Sequence, residues 1–155
     1  CHFIDLMQFV CDADPVAVAA LGIASDSREI RPDDNLVISL KFADGSVGSI
    51  GYFAEGAGNM PKERLEVLGG GRSAVLDNFQ KVTLYAGRGK KTHRCSGKGH
   101  REEVIAFLDG IQRGEQPIPV TSQLATTLAT FKAVEALATG ATEPVDLAEL
   151  DRTDA

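Results

Sequence analysis

An alternation of apolar and polar residues on both sides of a tight turn restricts the fold of this chain more than any other feature. Residues 35–42 place Leu36, Ile38, Leu40 and Phe42 at every second position, and residues 47–53 resume an extended pattern. The dipeptide Asp44-Gly45 lies between them. Because a period of two matches the pleat of a β-strand and Asp-Gly favours a hairpin turn, the segment predicts a β-hairpin.

Further extended segments surround this hairpin. Val16 to Ala24 is rich in small and β-branched residues, and four more short strands are predicted after the glycine-containing loop at residues 56–61. These four strands cover residues 64–68, 73–76, 82–85 and 91–95, with glycine turns at 69–71 and 87–89. Sequential short strands with such turns predict a mainly antiparallel meander of about six or seven strands.

Helical periodicity occupies both ends of the chain. Residues 2–11 are apolar on nearly all sides, and two amphipathic stripes follow the strands. The stripes consist of Val104, Phe107, Leu108 and Ile111, and of Leu124, Leu128, Phe131, Val134 and Leu137. Thr121 is predicted to be an N-cap, and Gly114 and Gly140 are predicted to end the two helices. This order of elements predicts an α+β domain, with helices on one face of an open, mainly antiparallel sheet.

The other face of that sheet is expected to meet a second subunit. Apolar residues occur on both sides of several strands. Those in excess of what a water-facing sheet surface carries are Val37, Ile50, Tyr52 and Val75. A water-facing surface rarely carries a large contiguous apolar patch. We therefore expect a homo-oligomer, a dimer or tetramer, that forms through the sheet face.

Composition narrows the functional class. The chain has 155 residues, 43% of them apolar, and a net charge of -6, which fit one globular domain and disfavour nucleic acid or an anionic membrane as the main partner. No apolar run is long enough to cross a bilayer, so we expect a cytoplasmic protein. The chain has three cysteines, an odd number that disfavours a disulfide framework, so we expect reduced thiols. We expect residues 1–147 to form the domain and residues 148–155 a frayed tail.

The first residues already lie inside an apolar helical pattern. The segment opens Cys1-His2-Phe3 with neither an initiator Met nor a capping residue ahead of it. We therefore expect this chain to be a piece of a longer protein.

Two kinds of cofactor site are not predicted. Gly69 to Ala74 fits G-x-G-x-x-A, but strand residues follow it where a dinucleotide loop would open a helix. His93, Cys95 and His100 are near one another in sequence but lack the ligand spacing of a zinc site. We assign no cofactor-binding and no metal-binding residues to this chain.

His2 and Asp5 form the remaining candidate site. They are three residues apart on the first helix, so they lie on one face, where the carboxylate can orient the imidazole. That arrangement suits general acid or base catalysis. The alternative is a core histidine that its neighbour satisfies, and the spacing alone favours this alternative because such pairs are common on helices.

Several segments together resemble a known family. They are Cys-His-Phe-Ile-Asp-Leu-Met-Gln-Phe-Val at residues 1–10, the hairpin at residues 35–50, Pro-Lys-Glu-Arg-Leu-Glu-Val at residues 61–67, residues 69–77, and Gly-His-Arg-Glu-Glu at residues 99–103 with Phe107. In order and spacing the chain resembles the C-terminal domain of the Gfo/Idh/MocA oxidoreductases, the family of glucose-fructose oxidoreductase and inositol dehydrogenase.

This resemblance carries functional expectations. In that family an N-terminal Rossmann domain, which is missing here, binds NAD or NADP, and a helix of the second domain supplies a catalytic histidine. His2 and Asp5 match that helix, so the resemblance implies that His2 exchanges a proton with a sugar or polyol hydroxyl. Lys62 and Arg64 are candidates for substrate binding, with solvated loop charges as the alternative.

Two hypotheses for the function follow. The first is the substrate-binding and oligomerisation domain of an NAD(P)-dependent sugar or polyol dehydrogenase, inactive alone because the nucleotide domain is missing. The second is a stand-alone, non-catalytic dimerisation or interaction module in which His2 and Asp5 have only a structural role.

Overall fold

The computed structural model describes residues 1–24, 26, 29–61, 63–95, 97 and 99–152. The described residues form an α+β arrangement, as the sequence predicts. Its elements are α1 (His2–Cys11), β1 (Pro15–Gly22), β2 (Asn35–Phe42), β3 (Val47–Phe53), β4 (Arg64–Gly69), β5 (Arg72–Asp77), β6 (Lys81–Ala86), β7 (Gly89–Arg94), α2 (His100–Arg113), α3 (Val120–Thr139) and β8 (Glu143–Pro144). Short 3-10 helices occupy Pro32–Asp34 and Leu147–Arg152.

The chain divides into two compact units. The first comprises residues 1–56 and 118–155, and the second comprises residues 57–117. Each unit contains one four-stranded antiparallel sheet, in the order β3-β2-β1-β8 in the first and β4-β5-β6-β7 in the second. The predicted single meander is therefore two sheets.

The predicted hairpin is present as β2 and β3. Its register runs from Asn35 opposite Phe53 to Lys41 opposite Val47. Gly45 closes the turn with a φ of 89° and donates its N–H to the Phe42 carbonyl over 3.0 Å. Because a side chain is strained at that φ, glycine suits this position.

The core of the first unit lies between its sheet and α3. Phe42 is 1% exposed and belongs to a cluster with Ile4, Val18, Leu40, Ile50, Leu128, Ala129, Ala133 and Val145. Alanines dominate the buried side of α3, at positions 125, 129, 133 and 136. Small side chains let the helix approach the sheet closely, and α1 packs against α3.

The structure corrects the assignment of two residues to the outer sheet face. Ile50 pairs with Ile38 and Tyr52 pairs with Leu36, which places both on the core side, and Ile50 is buried. Val37 is on the opposite side, as predicted, and is exposed. The reason is the register, because directly opposed residues share a face.

The helix ends agree in part with the sequence. Gly114 and Gly140 follow α2 and α3 in the left-handed region, as predicted. Thr121 is not the N-cap of α3, because the helix already begins at Val120 after Pro119. Residues Ala148 to Arg152, which open the expected tail, continue the 3-10 helix that starts at Leu147.

The apolar stripe of helix α2 is exposed to solvent. Phe107 is 58% exposed, and Val104, Leu108 and Ile111 are exposed as well. Among the described residues, no helix is long and apolar enough to span a membrane.

Candidate functional site

His2 lies at the start of α1 with its side chain exposed to solvent. Its ring contacts Phe3, with the two ring centroids 4.2 Å apart and the planes tilted by 38°. This position contradicts the structural alternative of a buried core histidine. An exposed imidazole on the first turn can reach a group outside this chain.

The helix that carries His2 is anchored by polar contacts at Gln8. Gln8 is 5% exposed, and its amide nitrogen donates to Oδ1 of Asp14 over 2.6 Å and to Oγ of Ser122 over 2.9 Å. The Thr126 hydroxyl donates to Oε1 of Gln8 over 2.6 Å. Every polar group of the Gln8 side chain is thus used, as a buried amide requires.

Ile4 anchors the same helix through apolar packing. Its side chain is 2% exposed and belongs to the core cluster of the first unit. Ile4 and Gln8 are one turn apart and so lie on one helix face. Together they fix the helix whose first turn holds His2.

Asp5 follows His2 by one turn and is half-buried. Its backbone N–H donates to the Cys1 carbonyl over 3.0 Å. Within the described part of the chain, no hydrogen bond or ion pair joins the Asp5 carboxylate to His2. The spacing therefore places the two on one element, but the carboxylate does not bind the imidazole here.

Arg64, the first residue of β4, is already engaged by a neighbour. Its guanidinium contacts Oε1 of Glu66 over 2.6 and 3.0 Å, and this hydrogen bond is the main reason why the pKa of Arg64 is raised. The Arg64 side chain is largely exposed. Lys62, the other predicted substrate-binding residue, lies outside the described residues.

The glycine-rich turns serve the second sheet. Gly70 and Gly71 have φ values of 55° and 72° and join β4 to β5, and residues 87–88 join β6 to β7. A dinucleotide loop needs a helix N-terminus behind the turn, and a strand follows both of these turns.

A further glycine, Gly99, does precede a helix. However, the first turn of α2 carries Glu102 and Glu103, whose negative charges oppose a diphosphate. These three segments do not fit the binding of a dinucleotide.

The other sequence candidates are not assembled into a site. Among the described residues, no group of three or more His, Cys, Asp or Glu side chains could hold a metal ion. Cys1, Cys11 and Cys95 are free thiols. In the second unit, a cavity of about 290 Å³ at the end of α2 is lined by Asp109, Arg113 and Pro117 with their neighbours, and it contains none of the predicted site residues.

Gln8 is the residue that the sequence analysis missed. The available signal was a polar side chain inside the almost wholly apolar segment of residues 2–11. Such a residue requires hydrogen-bond partners if its face is buried. Its partners Ser122 and Thr126 are more than a hundred residues away along the chain, so sequence spacing could not identify them.

A sequence comparison finds a family match in the first 75 residues of the chain. Residues 1–75 match the model of the GFO/IDH/MocA C-terminal domain. No curated protein matches the sequence.

Solved structures share the fold over most of the chain. An oxidoreductase from Agrobacterium radiobacter, in complex with NAD+, L-tartaric acid and magnesium, is 18% identical with a TM-score of 0.74, over 93% of this chain and 47% of its own. A levoglucosan dehydrogenase in complex with NADH and levoglucosan is 20% identical with a TM-score of 0.74, over 93% of this chain and 48% of its own.

A third similar structure is the UDP-N-acetylglucosamine 3-dehydrogenase of Acidithiobacillus ferrooxidans. It is 20% identical with a TM-score of 0.68, over 89% of this chain and 45% of its own. The chain thus spans less than half the length of each of these three proteins. Residues 1–75 thus match the GFO/IDH/MocA C-terminal domain in sequence, and most of the chain is similar in fold to solved oxidoreductases.

Proposed function

We propose that the chain is the substrate-binding and oligomerisation domain of an NAD(P)-dependent sugar or polyol dehydrogenase. The family match and the dehydrogenases among the similar structures support this assignment. Their names include levoglucosan and a nucleotide sugar, so a carbohydrate hydroxyl is the substrate group that we favour.

The nucleotide would be held by a separate Rossmann domain. Two of the similar structures contain NAD+ or NADH, and each is about twice as long as this chain. NAD or NADP bound there would supply the hydride acceptor. The glycine segments of this chain described above do not fit that role, so we expect no turnover from the chain alone.

His2 is the residue to which we assign proton transfer. The observation that carries this assignment is an exposed imidazole on a helix that Ile4 and Gln8 hold in place. Oxidation of an alcohol requires the hydroxyl proton to leave. A neutral imidazole nitrogen within hydrogen-bond distance of that hydroxyl accepts the proton and later returns it to solvent.

Asp5, Lys62 and Arg64 have supporting roles in this proposal. Asp5 is near enough along α1 to orient the imidazole once substrate fixes the ring. Arg64 would contact a charged or hydroxylated substrate only by sharing its guanidinium with Glu66, because that carboxylate already holds it. Lys62 is proposed as a further substrate contact on the basis of the family resemblance alone.

The outer face of the first sheet is the surface that we propose for oligomerisation. The register places Leu21, Val37 and Gly51 in one row across three strands, with Ala19, Ser39 and Ser49 in the next row. Leu21 is 77% exposed, and Lys41 is the one charged side chain among the described residues of this face at positions 17–21, 37–41 and 47–51. Such a surface suits a second copy of the same face.

The test of the catalytic assignment is a histidine scan in a protein that also contains the dinucleotide-binding domain. His2→Ala should lower kcat by about 10²- to 10⁴-fold, because general acid or base catalysis contributes about that much. The Kd for NAD or NADP should not change. His93→Ala and His100→Ala are matched controls, since both residues are exposed and lie in the second unit.

Substitution of Asp5, the proposed orienting carboxylate, provides a second measurement. Asp5→Asn keeps the shape of the side chain and should reduce kcat less than His2→Ala does. If His2→Ala retains full kcat while the two control variants behave identically, the proton-transfer role is refuted. In that case His2 is only a surface residue, and another group of the enzyme accepts the hydroxyl proton. No turnover in the parent two-domain protein would favour the non-catalytic interaction module instead.

A further inference from the structure

Strand β7 is an open edge of the second sheet. The strand order is β4-β5-β6-β7, and all six residues of β7 are exposed. Its pairing with β6 runs without a register shift from Lys81 opposite Arg94 to Ala86 opposite Gly89. Proteins often protect edges with a proline, a bulge or charges. In the described strand only charges are present.

The backbone of β7 presents free hydrogen-bonding groups on its outer side. Cys95 donates its N–H to the Gln80 carbonyl over 2.9 Å, so residue 95 faces β6. In an antiparallel strand, alternate residues direct both backbone groups to one neighbour. Lys90, Thr92 and Arg94 therefore direct their N–H and C=O groups outward.

The charge of this edge is opposite to that of the chain. Seven Lys or Arg and no Asp or Glu occur between residues 79 and 101, although the whole chain has a net charge of -6. The excess of basic residues is confined to the second unit. Residues 57–117 contain eleven basic and seven acidic residues, whereas the rest of the chain contains five basic and fifteen acidic residues.

Among the described residues, the cations of β7 have no ion-pair partner, unlike two cations on other strands of the same sheet. Lys81 on β6 binds Asp77 over 2.6 Å, and Arg64 on β4 binds Glu66. Within the described residues no ion pair involves Lys90, Lys91 or Arg94. An exposed strand edge with unpaired cations on both faces is thus available to an anionic partner.

We propose that β7 binds an extended acidic segment of a partner protein, which adds to the sheet as a fifth strand. Side chains two residues apart on a strand are about 6.8 Å apart, so carboxylates at alternate positions of the added strand match Lys90 and Arg94 with Thr92 between them. Carboxylates on the other face would meet Lys91. Backbone hydrogen bonds provide affinity, and charge selects the partner.

The same charges disfavour two other occupants. A second β7 in antiparallel pairing would place Lys and Arg side chains against Lys and Arg, which is destabilising. A long polyanion such as nucleic acid is disfavoured by the net charge of -6 of the whole chain, which repels it. A short acidic strand avoids both penalties.

The test uses the full chain and a fluorescent octapeptide of alternating Glu and Thr. Titration followed by anisotropy should show saturable binding that weakens with salt. N-methylation of alternate peptide residues removes backbone donors without changing charge. One of the two methylated sets should bind about tenfold more weakly, because it blocks the ladder, and the other set should bind like the parent peptide.

Amide hydrogen exchange gives the direct structural readout. The N–H groups of Lys90, Thr92 and Arg94 should be unprotected in the free chain and protected when the peptide is bound. The N–H groups of Lys91 and His93, which face β6, should be protected in both states. This alternation is specific to strand addition, because a diffuse charge attraction protects no particular set.

Two charge-reversal variants distinguish binding at the β7 edge from a general attraction to the basic segment. Arg94→Glu on β7 should weaken peptide binding by about fivefold to tenfold at low salt, whereas Arg101→Glu on α2 should have a much smaller effect. The proposal is overturned if the peptide does not bind, since the cations would then only protect the edge. Equal losses in both variants with no effect of N-methylation, or tighter binding of a DNA duplex, would also overturn it.

Discussion

The Thr126 hydroxyl donates a hydrogen bond of 2.6 Å to Oε1 of Gln8, and this contact joins α3 to the helix that carries His2. Thr126 is also buried, so neither group can exchange this bond for water. The contact is therefore costly to break, and it links the packing of the first unit to the position of the proposed proton-transfer residue.

Removal of the Gln8 amide should destabilise the first unit. Gln8→Ala leaves the Thr126 hydroxyl without its acceptor and the Asp14 carboxylate without its donor, so the free energy of unfolding should fall by about 1–3 kcal/mol. Chemical denaturation monitored by circular dichroism measures the change. Gln123→Ala is the matched control, because Gln123 is on α3 but its hydrogen bond to the Ile118 carbonyl is exposed. Equal losses would contradict the buried network as the cause.

The aromatic centre of the core should be sensitive to truncation. Phe42→Ala creates a cavity beside α3 and should reduce the free energy of unfolding by about 3–5 kcal/mol. Val47→Ala in the same hairpin should change it by less than about 0.5 kcal/mol, since Val47 is 80% exposed. A small effect of Phe42→Ala in a denaturant titration would show that the core is centred elsewhere.

Two glycines should respond differently to alanine. A Cβ on Gly110 would be 2.8 Å from the Glu115 carbonyl oxygen and 2.9 Å from the Pro117 ring, so Gly110→Ala should loosen the end of α2 despite its better helix propensity. Hydrogen exchange of the Glu115 amide, which donates to the Gly110 carbonyl over 2.9 Å, should accelerate. A Cβ on Gly48 meets mainly the flexible Met7 thioether, so Gly48→Ala should be tolerated.

The Lys81–Asp77 contact should make the stability of the second unit decrease at acidic pH. The hydrogen bond from Lys81, assisted by its charge and that of Arg64, lowers the pKa of Asp77 below its ordinary value of 3.8. A carboxyl with a depressed pKa stabilises the folded state above its ordinary value, and this stabilisation is lost as the pH falls through the folded value.

Carboxyl NMR titration tests this relation. In Lys81→Met the pKa of Asp77 should rise towards 3.8 but remain somewhat lowered, because Arg64 is still present. Lys91→Met removes the same charge from β7 on the opposite sheet face and should leave the titration of Asp77 unchanged. An unchanged pKa in Lys81→Met would contradict the assigned cause.

The proposed oligomer should be sensitive to charge on the outer face of the first sheet. Leu21→Lys and Val37→Lys place like charges on a surface that we expect to pair with its own copy, so each should reduce the molar mass measured by light scattering. Leu68→Lys is the control, because Leu68 is equally exposed but belongs to the second sheet. A monomeric parent chain at the same concentration would refute the oligomerisation role.

Local chemistry determined the elements that could be predicted from the sequence. The alternation of residues 36–42, the Asp44-Gly45 turn and the apolar segment at residues 2–11 each act within a few residues, and the structure contains the predicted hairpin and α1. His2 could be placed on the first turn for the same reason. The resemblance to the family likewise depended on local segments read in order.

Tertiary structure alone decided how those elements combine. It divided the strands between two sheets, paired the two-residue β8 with β1, and buried Ile50 while leaving Val37 exposed. It also joined Gln8 to Ser122 and Thr126 and left His2 unbound to Asp5. Strand partners, sheet faces and buried polar contacts depend on residues far apart in the chain, so their free energies cannot be assigned from neighbouring residues alone.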